Sequence, residues 1–341
     1  MYKNYIAIDW SKKIMAVAFM KDDSDKIWTK QAPTDIRALK DFIKSFEGSK
    51  CLTFEEQNGA QWLYTELRPL VDKVIVCETY RNHLLKEGPK TDKIDAQKLL
   101  QLMRAGLLKE VYHCSDDFIH IRKLTTGYRQ LIKESVRLQV SVKSLMRSEG
   151  NLNYMNDAVN SPEGNFVLGG MQKRLEYLDE EKKRYLAEFK RLVKKHKSIK
   201  ALTSMPGISD IIAVNIAALI VDPKRFKTKG QLFSYAGLIR HERISGGVLY
   251  GKKKPRHSAH LKYWIKLAAA TILRADRKNS FKDYYDHLIE TKNYQPHNAR
   301  NQLARYMLVI VWGLMKSGGK YNSTRTKEKR NVKLIENQTS A

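Results

Sequence analysis

The stretch YIAIDW at residues 5–10 is a run of apolar side chains that ends on an aspartate and a tryptophan. Its composition predicts a strand, and residues 11–13 are few enough to return the chain in a hairpin to a second strand at 14–20. Two more strands are predicted at 51–56 and 74–77, with helical stretches between them. A hairpin followed by alternating strands and helices predicts a mixed α/β sheet.

Beyond about residue 115 the apolar pattern becomes helical. Apolar side chains recur at heptad positions through residues 121–145 and again through 175–192, which predicts two coiled-coil seams. The two seams could fold back on each other as a hairpin or pair between subunits. Residues 150–170 between them are rich in glycine and asparagine and are predicted to form a loop or a mobile tip. From residue 199 onward the pattern predicts further helices and tight turns, with a glycine- and lysine-rich loop at 240–257. The predicted fold class is therefore α/β plus all-α.

The charge of the chain is large and unevenly placed. Its 341 residues carry a formal charge of +27, of which residues 1–110 hold +3 and residues 111–341 hold +24. Such an excess indicates a polyanionic partner, with nucleic acid as the first candidate and an acidic membrane surface as the second. Because no apolar run is long enough for a bilayer and residues 1–20 lack a signal-peptide pattern, we expect a cytoplasmic protein. Cys51 and Cys77 fall in predicted strands, which predicts buried thiols.

Four carboxylates stand on elements that such a sheet can bring together. Asp9 lies on the first strand, Glu56 closes a later strand, and Asp92 and Asp95 lie on one face at the start of a helix. Two like charges about 4 Å apart repel by roughly 4 kcal/mol at an effective dielectric of about 20, so a cluster needs a counter-ion. Oxygen ligands suit Mg²⁺, with Mn²⁺ as the alternative, and such ions can activate phosphodiester cleavage. Taken singly, each acid also fits a plain capping or surface role.

These acids lie in motifs that resemble a known family. Residues 8–12, IDWSK, resemble the G-I-D-x-S-K opening of the DEDD-type transposases of insertion-sequence family 110, which also contains the Piv and MooV DNA invertases. Residues 56–59 resemble its E-x-x-G element, and the glycine spacing favours Glu56 over Glu55. Residues 90–96, KTDKIDA, resemble its K-T-D-x-x-D-A element. The resemblance implies a RuvC-like, ribonuclease-H-like domain. The metal-site carboxylates of the family map to Asp9, Glu56, Asp92 and Asp95.

A second block in the basic part of the chain resembles the same family. Residues 202–208, LTSMPGI, resemble its L-x-x-x-P-G-I helix-hairpin-helix, whose turn at Gly207 could hold a phosphate. Residues 244–247, ISGG, resemble the element with the nucleophilic serine, which maps to Ser245. From the residues alone, this serine also fits a plain turn. Downstream, residues 251–262 depart from the usual family stretch. Four basic residues there are expected to contact phosphates: Lys252, Lys253, Lys254 and Arg256.

The resemblance also implies how the molecule is organised and what it does. It implies DNA strand cleavage and rejoining through a phosphoserine intermediate assisted by the metal site. Its implied partners are donor and target DNA duplexes, a structured guide RNA, and further copies of the chain in a dimer or tetramer. The expected domains are a RuvC-like domain at 1–112, a coiled-coil oligomerisation domain at 113–197, a helical transposase domain at 198–318 and a basic disordered tail at 319–341.

Three other functions remain open from the sequence. A Holliday-junction resolvase-like nuclease would use the same carboxylates with water and would not need Ser245. A Piv-like invertase would invert a DNA segment instead of moving an element. A basic nucleic-acid-binding protein with a decayed active site would tolerate changes at Asp9 or Asp95. The complete set of acids and the Ser-Gly-Gly sequence favour the transposase.

Overall fold

The chain folds as a mixed α/β unit, residues 1–115, followed by a largely helical unit, residues 116–341. This agrees with the predicted class of an α/β part followed by an α-helical part. The fold comes from a computed structural model, which describes residues 2–78, 91–113, 117–151, 159–275 and 279–323.

A mixed sheet with the strand order β3-β2-β1-β4-β5 organises the first unit. Strand β1 pairs antiparallel with β2 and parallel with β4, and β4 pairs parallel with β5. The predictions for β1, β2, β4 and β5 are confirmed. Strand β3 was not predicted, because half of the residues in its sequence WTKQAP are polar and it lies at the sheet edge. The strands are β1 (Asn4–Trp10), β2 (Ile14–Lys21), β3 (Trp28–Pro33), β4 (Lys50–Glu55) and β5 (Lys73–Cys77).

Helices cover the two faces of this sheet. Side chains alternate along a strand, so Ile8 belongs to one apolar core and its neighbour Ala7 to another. The core of Ile8 is completed by helices α1 (Ile36–Lys44) and α2 (Ala60–Leu67). The core of Ala7 is completed by α3 (Asp92–Arg104), which confirms the helix predicted there. The sheet therefore has an α1/α2 face and an α3 face.

Two long helices begin the second unit. Helix α4 (Phe118–Ser148) and helix α5 (Pro162–Lys195) pack against each other, and the rings of Tyr128 and Phe189 lie 5.1 Å apart. Of the two arrangements left open, the structure has the hairpin within one chain. Coiled-coil pairing between copies stays a prediction. The loop predicted to extend to residue 170 is helical from Pro162, because proline suits the first helical position and Ser161 caps the helix.

One hydrophobic core joins the base of this helical hairpin to the helices that follow. Ile121 of α4 and Phe189 of α5 belong to the same core as Ala217, Ala268 and Leu308. The predicted domain boundaries stay predictions, and residues 324–341, most of the predicted tail, lie outside the described residues. The later helices are α6 (Lys197–Thr203), α7 (Asp210–Ile220), α8 (Lys229–Tyr235), α9 (Ala259–Arg274), α10 (Ser280–Glu290) and α11 (Pro296–Ser317).

The loop predicted at 240–257 is for the most part a β-hairpin, so that prediction was wrong. Strands β6 (His241–Ser245) and β7 (Val248–Lys253) pair antiparallel. Gly246 and Gly247 form the turn with φ values of 56° and 79°, a left-handed conformation that matches the twist of a two-residue hairpin turn. Among the helices that the structure describes, none is long and apolar enough to span a bilayer.

Candidate functional site

Asp9 lies near the end of β1, on the face of the sheet that α3 covers. Its side chain follows Ala7 in the alternation of the strand, and it is half-buried. In the parallel ladder Ile8 pairs with Phe54, so Glu55 is the residue of β4 at the level of Asp9. Paired residues of neighbouring strands project to the same side. Asp9 and Glu55 therefore share the α3 face.

Asp92 and Asp95 lie in the first turn of α3, as predicted. The hydroxyl of Thr91 caps the helix by accepting from the backbone N–H of Ile94 at 3.3 Å. Asp95 precedes the buried Ala96, on the side of the helix that packs against the sheet. Within the described residues, its Oδ1 is buried and has no hydrogen-bond partner. A buried carboxylate oxygen without a donor is unfavourable, and a hard cation would satisfy it.

Glu56 has a different environment from the one expected. It is the next residue after Glu55, and consecutive side chains of an extended strand project to opposite faces. Glu56 is therefore directed to the α1/α2 face, opposite to Asp9. Its Oε2 lies 2.5 Å from Nε2 of His113, whose Nδ1 lies 2.8 Å from Oε1 of Gln61. The imidazole also packs on Tyr64, with ring centroids 5.5 Å apart. These contacts hold the carboxylate of Glu56 on the α2 side.

Within the described residues, no group of three or more His, Cys, Asp or Glu side chains is placed to hold one metal ion. The structure thus places Asp9 and Asp95 on the same side of the sheet and does not gather all four predicted carboxylates. Residues 79–90 and 114–116, which flank α3 and His113 in sequence, lie outside the described residues. The metal site of Asp9, Glu56, Asp92 and Asp95 stays a prediction, supported by the unpartnered oxygen of Asp95.

Ser245 is the last residue of β6, at the tip of the β6–β7 hairpin. It pairs with Val248 across the two-glycine turn and is exposed. The register places the pairs Arg243–Gly251 and His241–Lys253 on the same face as Ser245, farther from the turn. Ser245 therefore lies at the end of a strand face that carries cationic side chains and no carboxylate.

The expected phosphate contacts lie along and after β7. Lys252, Lys253, Lys254 and Arg256 are all exposed. Lys252 donates to Glu242 across the hairpin, with 2.9 Å between Nζ and Oε1.

The positive field around these residues extends to α9. Burial, together with the charges of Lys254, Lys266 and Arg240, lowers the pKa of Lys262. Burial and the charges of Arg129 and Lys133 likewise lower the pKa of His260. A bound polyanion would relieve this like-charge repulsion.

The predicted helix-hairpin-helix turn lies between α6 and α7. Gly207 has a φ of 79° there, and a Cβ at this position would lie 2.8 Å from the backbone oxygen of Ala268 and 2.7 Å from a side-chain carbon of Ile272. The glycine is thus required by close packing of the turn against α9. Whether its backbone also holds a phosphate stays a prediction.

Sequence reasoning missed two contributors to these sites. His113 belongs to no motif and no sequence pattern identifies it. In the structure, the pairing of Glu110 with Cys77 brings this segment beside β5. Arg243 was not singled out because residues 240–257 were predicted as a loop, and a loop prediction does not say which side chains share one face. Residues 241–245, HERIS, contain a single apolar side chain, so the sequence has no alternation that would identify this strand.

Comparisons with known proteins match both parts of the chain. Residues 6–149 match a DEDD model described as a transposase, and residues 199–286 match a model described as the transposase IS116/IS110/IS902 family. Together they cover more than half of the chain, and both descriptions give the same class of protein, a transposase. The chain belongs to the IS116/IS110/IS902 family.

One relative is a protein of insertion element IS110 from Streptomyces coelicolor, described as an uncharacterized 43.6 kDa protein. It is 27% identical over 158 residues, which cover 46% of this chain and 38% of the relative. The chain thus matches well under half of the length of that relative. The similarity supports the family and does not extend to the activity of the whole protein.

Proposed function

We propose that this protein is a DNA recombinase that cuts and rejoins strands through a covalent link between DNA and Ser245. The observation that carries the proposal is the position of this serine, exposed at a hairpin tip on a face with Arg243 and Lys253. A phosphodiester that approaches the hydroxyl meets these cations and no carboxylate on the same face. That arrangement favours an anionic substrate at the serine and disfavours a plain turn role.

The covalent step balances without an outside reagent. Oγ of Ser245 attacks the phosphorus, one P–O bond of the backbone breaks, and the released deoxyribose hydroxyl takes up the proton that the serine loses. The phosphoserine ester retains the energy of the broken ester bond. A hydroxyl from a second strand can therefore reverse the step with a new partner, which is strand exchange.

The acidic side of the first unit is proposed to bind Mg²⁺ or Mn²⁺. Asp9, Asp92 and Asp95 would hold it, together with a carboxylate from the end of β4. The family motif gives Glu56 as this ligand, and the strand register gives Glu55. When bound, the ion supplies charge neutralisation for the oxygens that gain negative charge during cleavage. The buried Oδ1 of Asp95 supports this assignment, since it has no donor among the described residues.

The proposed partners follow from charge and chemistry. Strand exchange needs two duplexes, and the net +24 of residues 111–341 suits a donor duplex, a target duplex and a structured guide RNA together. Exchange between duplexes also needs at least a dimer, and a tetramer would provide one serine for each of four strands. The same scheme covers insertion, excision and Piv-like inversion.

A trapping assay tests the proposal. The gene is expressed with its native flanking DNA, so that any guide RNA is made, and the purified complex is mixed with labelled element-end DNA and Mg²⁺. We expect a protein–DNA adduct that survives denaturation and disappears in Ser245→Ala. Ser144→Ala, an exposed serine on α4, is the matched control and should retain the adduct.

The other candidates give different results in the same assay. Cleavage without an adduct, lost in Asp9→Asn and retained in Ser245→Ala, would identify a resolvase-like nuclease that uses water. A third outcome is that neither the wild type nor any variant cleaves the DNA and RNA recovered from the complex, while Asp9→Asn still binds them. This outcome would favour the binding protein with a decayed active site.

A further inference from the structure

The β6–β7 hairpin stands apart from every other strand that the structure describes. Its two strands pair only with each other, and every residue except Gly251 is exposed. An isolated two-stranded hairpin is marginally stable in water. It also leaves four large side chains exposed to solvent, namely Ile244, Val248, Leu249 and Tyr250. Both facts indicate that the hairpin contacts a partner when the protein functions.

The two faces of the hairpin differ in character. Ile244 and Leu249 are cross-strand partners, and alternation places them on the face opposite to Ser245. The pair Glu242 and Lys252 lies on this same face, where the two side chains form an ion pair. This face is therefore apolar and neutral in sum, whereas the face of Ser245 carries the cations Arg243 and Lys253 beside the exposed Val248.

A β-bulge produces this division. The register passes from Ile244 opposite Leu249 to Arg243 opposite Gly251, so Tyr250 is the extra residue. In a regular ladder Lys252 would lie on the face of Ser245. The bulge moves Lys253 to that face instead and leaves Lys252 to neutralise Glu242. The bulge thus separates the cationic face from the apolar one within one short ribbon.

We propose that the apolar face of this hairpin, Ile244 and Leu249, inserts between bases beside the phosphate that Ser245 attacks, and so unstacks the duplex there. The inference rests on the proposed function. Ile244 is the neighbour of Ser245 in the chain, and consecutive Cα atoms are about 3.8 Å apart. A hairpin that enters between the DNA backbone and the base stack would therefore present Ser245 to the phosphate on one face and Ile244 to the bases on the other.

Charge favours DNA over a protein as the occupant. The hairpin is flanked by exposed cations on β6, on β7 and in the segment that follows. On the apolar face, Lys252 neutralises Glu242, so that face has no net negative charge to repel the phosphates. Apolar wedges that enter between base steps and unstack them are a known way for proteins to deform a duplex. Strand exchange requires separated strands, so local unstacking at the attacked phosphate serves the chemistry.

The first experiment measures unstacking without cleavage. Ser245→Ala protein, purified with its co-expressed RNA, is bound to element-end duplexes that carry 2-aminopurine at each position beside the cleavage site. We expect fluorescence to rise on binding at one such position. The rise should be absent when Ile244→Thr and Leu249→Thr are added, because threonine keeps strand propensity and removes the apolar wedge. Val140→Ser, an exposed valine on α4, is the control and should leave the rise intact.

The second experiment uses a substrate that is already open. With Ser245 restored, the Thr double variant should form the adduct about tenfold or more slowly on duplex, the factor for a little over 1 kcal/mol of barrier. On the same DNA with mismatches at that position, it should approach the wild-type rate.

Two results would overturn the inference. A double variant that is equally slow on duplex and mismatched DNA would mean that this face packs on protein, such as a second copy. A double variant that equals wild type on duplex would mean that the face has no role. If the wild-type protein unstacks the DNA and forms no serine adduct, the proposed nucleophile fails while the wedge stands.

Discussion

His113 and Glu56 are 57 residues apart in sequence, and Nε2 of the imidazole lies 2.5 Å from Oε2 of the carboxylate. The imidazole side chain is 7% exposed and the carboxylate 41%. We expect His113→Ala to lower the free energy of unfolding by roughly 1–3 kcal/mol, because a packed ring and its hydrogen bonds are lost. Denaturant unfolding measures this. His120→Ala, at an exposed site on α4, should change it little, and an equal loss in both variants would contradict the prediction.

The neighbouring acids Glu55 and Glu56 are a matched pair for the metal proposal. The β1–β4 register places Glu55 on the face of Asp9, whereas His113 holds Glu56 on the other face. In this arrangement Glu55→Gln should reduce Mg²⁺-dependent cleavage more than Glu56→Gln does. Initial rates across a Mg²⁺ titration compare the two, with Asp9→Asn as the inactive reference. The reverse order would show that the end of β4 rearranges when metal and DNA bind, as the family motif requires.

The turn at Gly207 should tolerate no side chain. Its positive φ costs a non-glycine residue about 1–3 kcal/mol, and the contact with the backbone of Ala268 adds to this. Gly207→Ala should therefore lower the melting temperature. Gly169 is helical and has nothing within 4 Å of an added Cβ, so Gly169→Ala should raise stability slightly, by about 0.5–1 kcal/mol. Thermal denaturation of the two variants in parallel gives opposite signs if both glycines act as described.

Lys253 and Lys252 should contribute differently to DNA binding. Lys253 lies on the face of Ser245, whereas Lys252 is paired with Glu242. Lys253→Gln should reduce the slope of log K against log salt by about 0.9, the value for one phosphate contact. Lys252→Gln should change the slope less, since that cation is already neutralised. Fluorescence anisotropy at several salt concentrations measures both slopes, and equal slopes would contradict the division of faces.

The thiol of Cys51 should be unreactive in the folded protein. Burial raises its pKa to about 11, so the reactive thiolate is rare at pH 8. Cys77 is buried as well. The sequence has one further cysteine, Cys114, which is replaced by serine so that only these two thiols are followed. In this Cys114→Ser protein, iodoacetamide at pH 8 should therefore label the native protein slowly and the denatured protein fully. Mass spectrometry of the tryptic peptides reports each site, and rapid native labelling at Cys51 would show that α3 opens from the sheet.

The sheet could be predicted from the sequence because buried strands and helices carry apolar residues in runs or at regular spacing. Residues 5–10 and 14–20 are apolar runs, and helix α3 has a capping threonine and a glycine just past its end. The edge strand β3 has no such pattern, since a strand with little buried surface is free to be polar. The hairpin at residues 241–253 has none either, because both of its faces meet solvent.

The candidate site could be predicted in part. Motifs supplied Asp9, Asp95 and Ser245 as candidates, and their roles stay predictions. The face that each acid occupies depends on strand register, and a shift of one residue reverses it. For this reason the separation of Asp9 from Glu56 could be seen only once Ile8 was paired with Phe54.

The hydrophobic core shared by α4, α5 and the later helices has a practical consequence for engineering. The long helical arm cannot be exchanged between relatives by joining the chains near residue 197, because Phe189 and Leu192 would be withdrawn from beneath α6 and α7. A chimera would have to join the chains halfway along both helices, where the inward residues are only half-buried. Any change in arm length is therefore easiest in this half-buried stretch, because Met146, Val159 and Leu168 form a separate buried cluster at the far end of the arm.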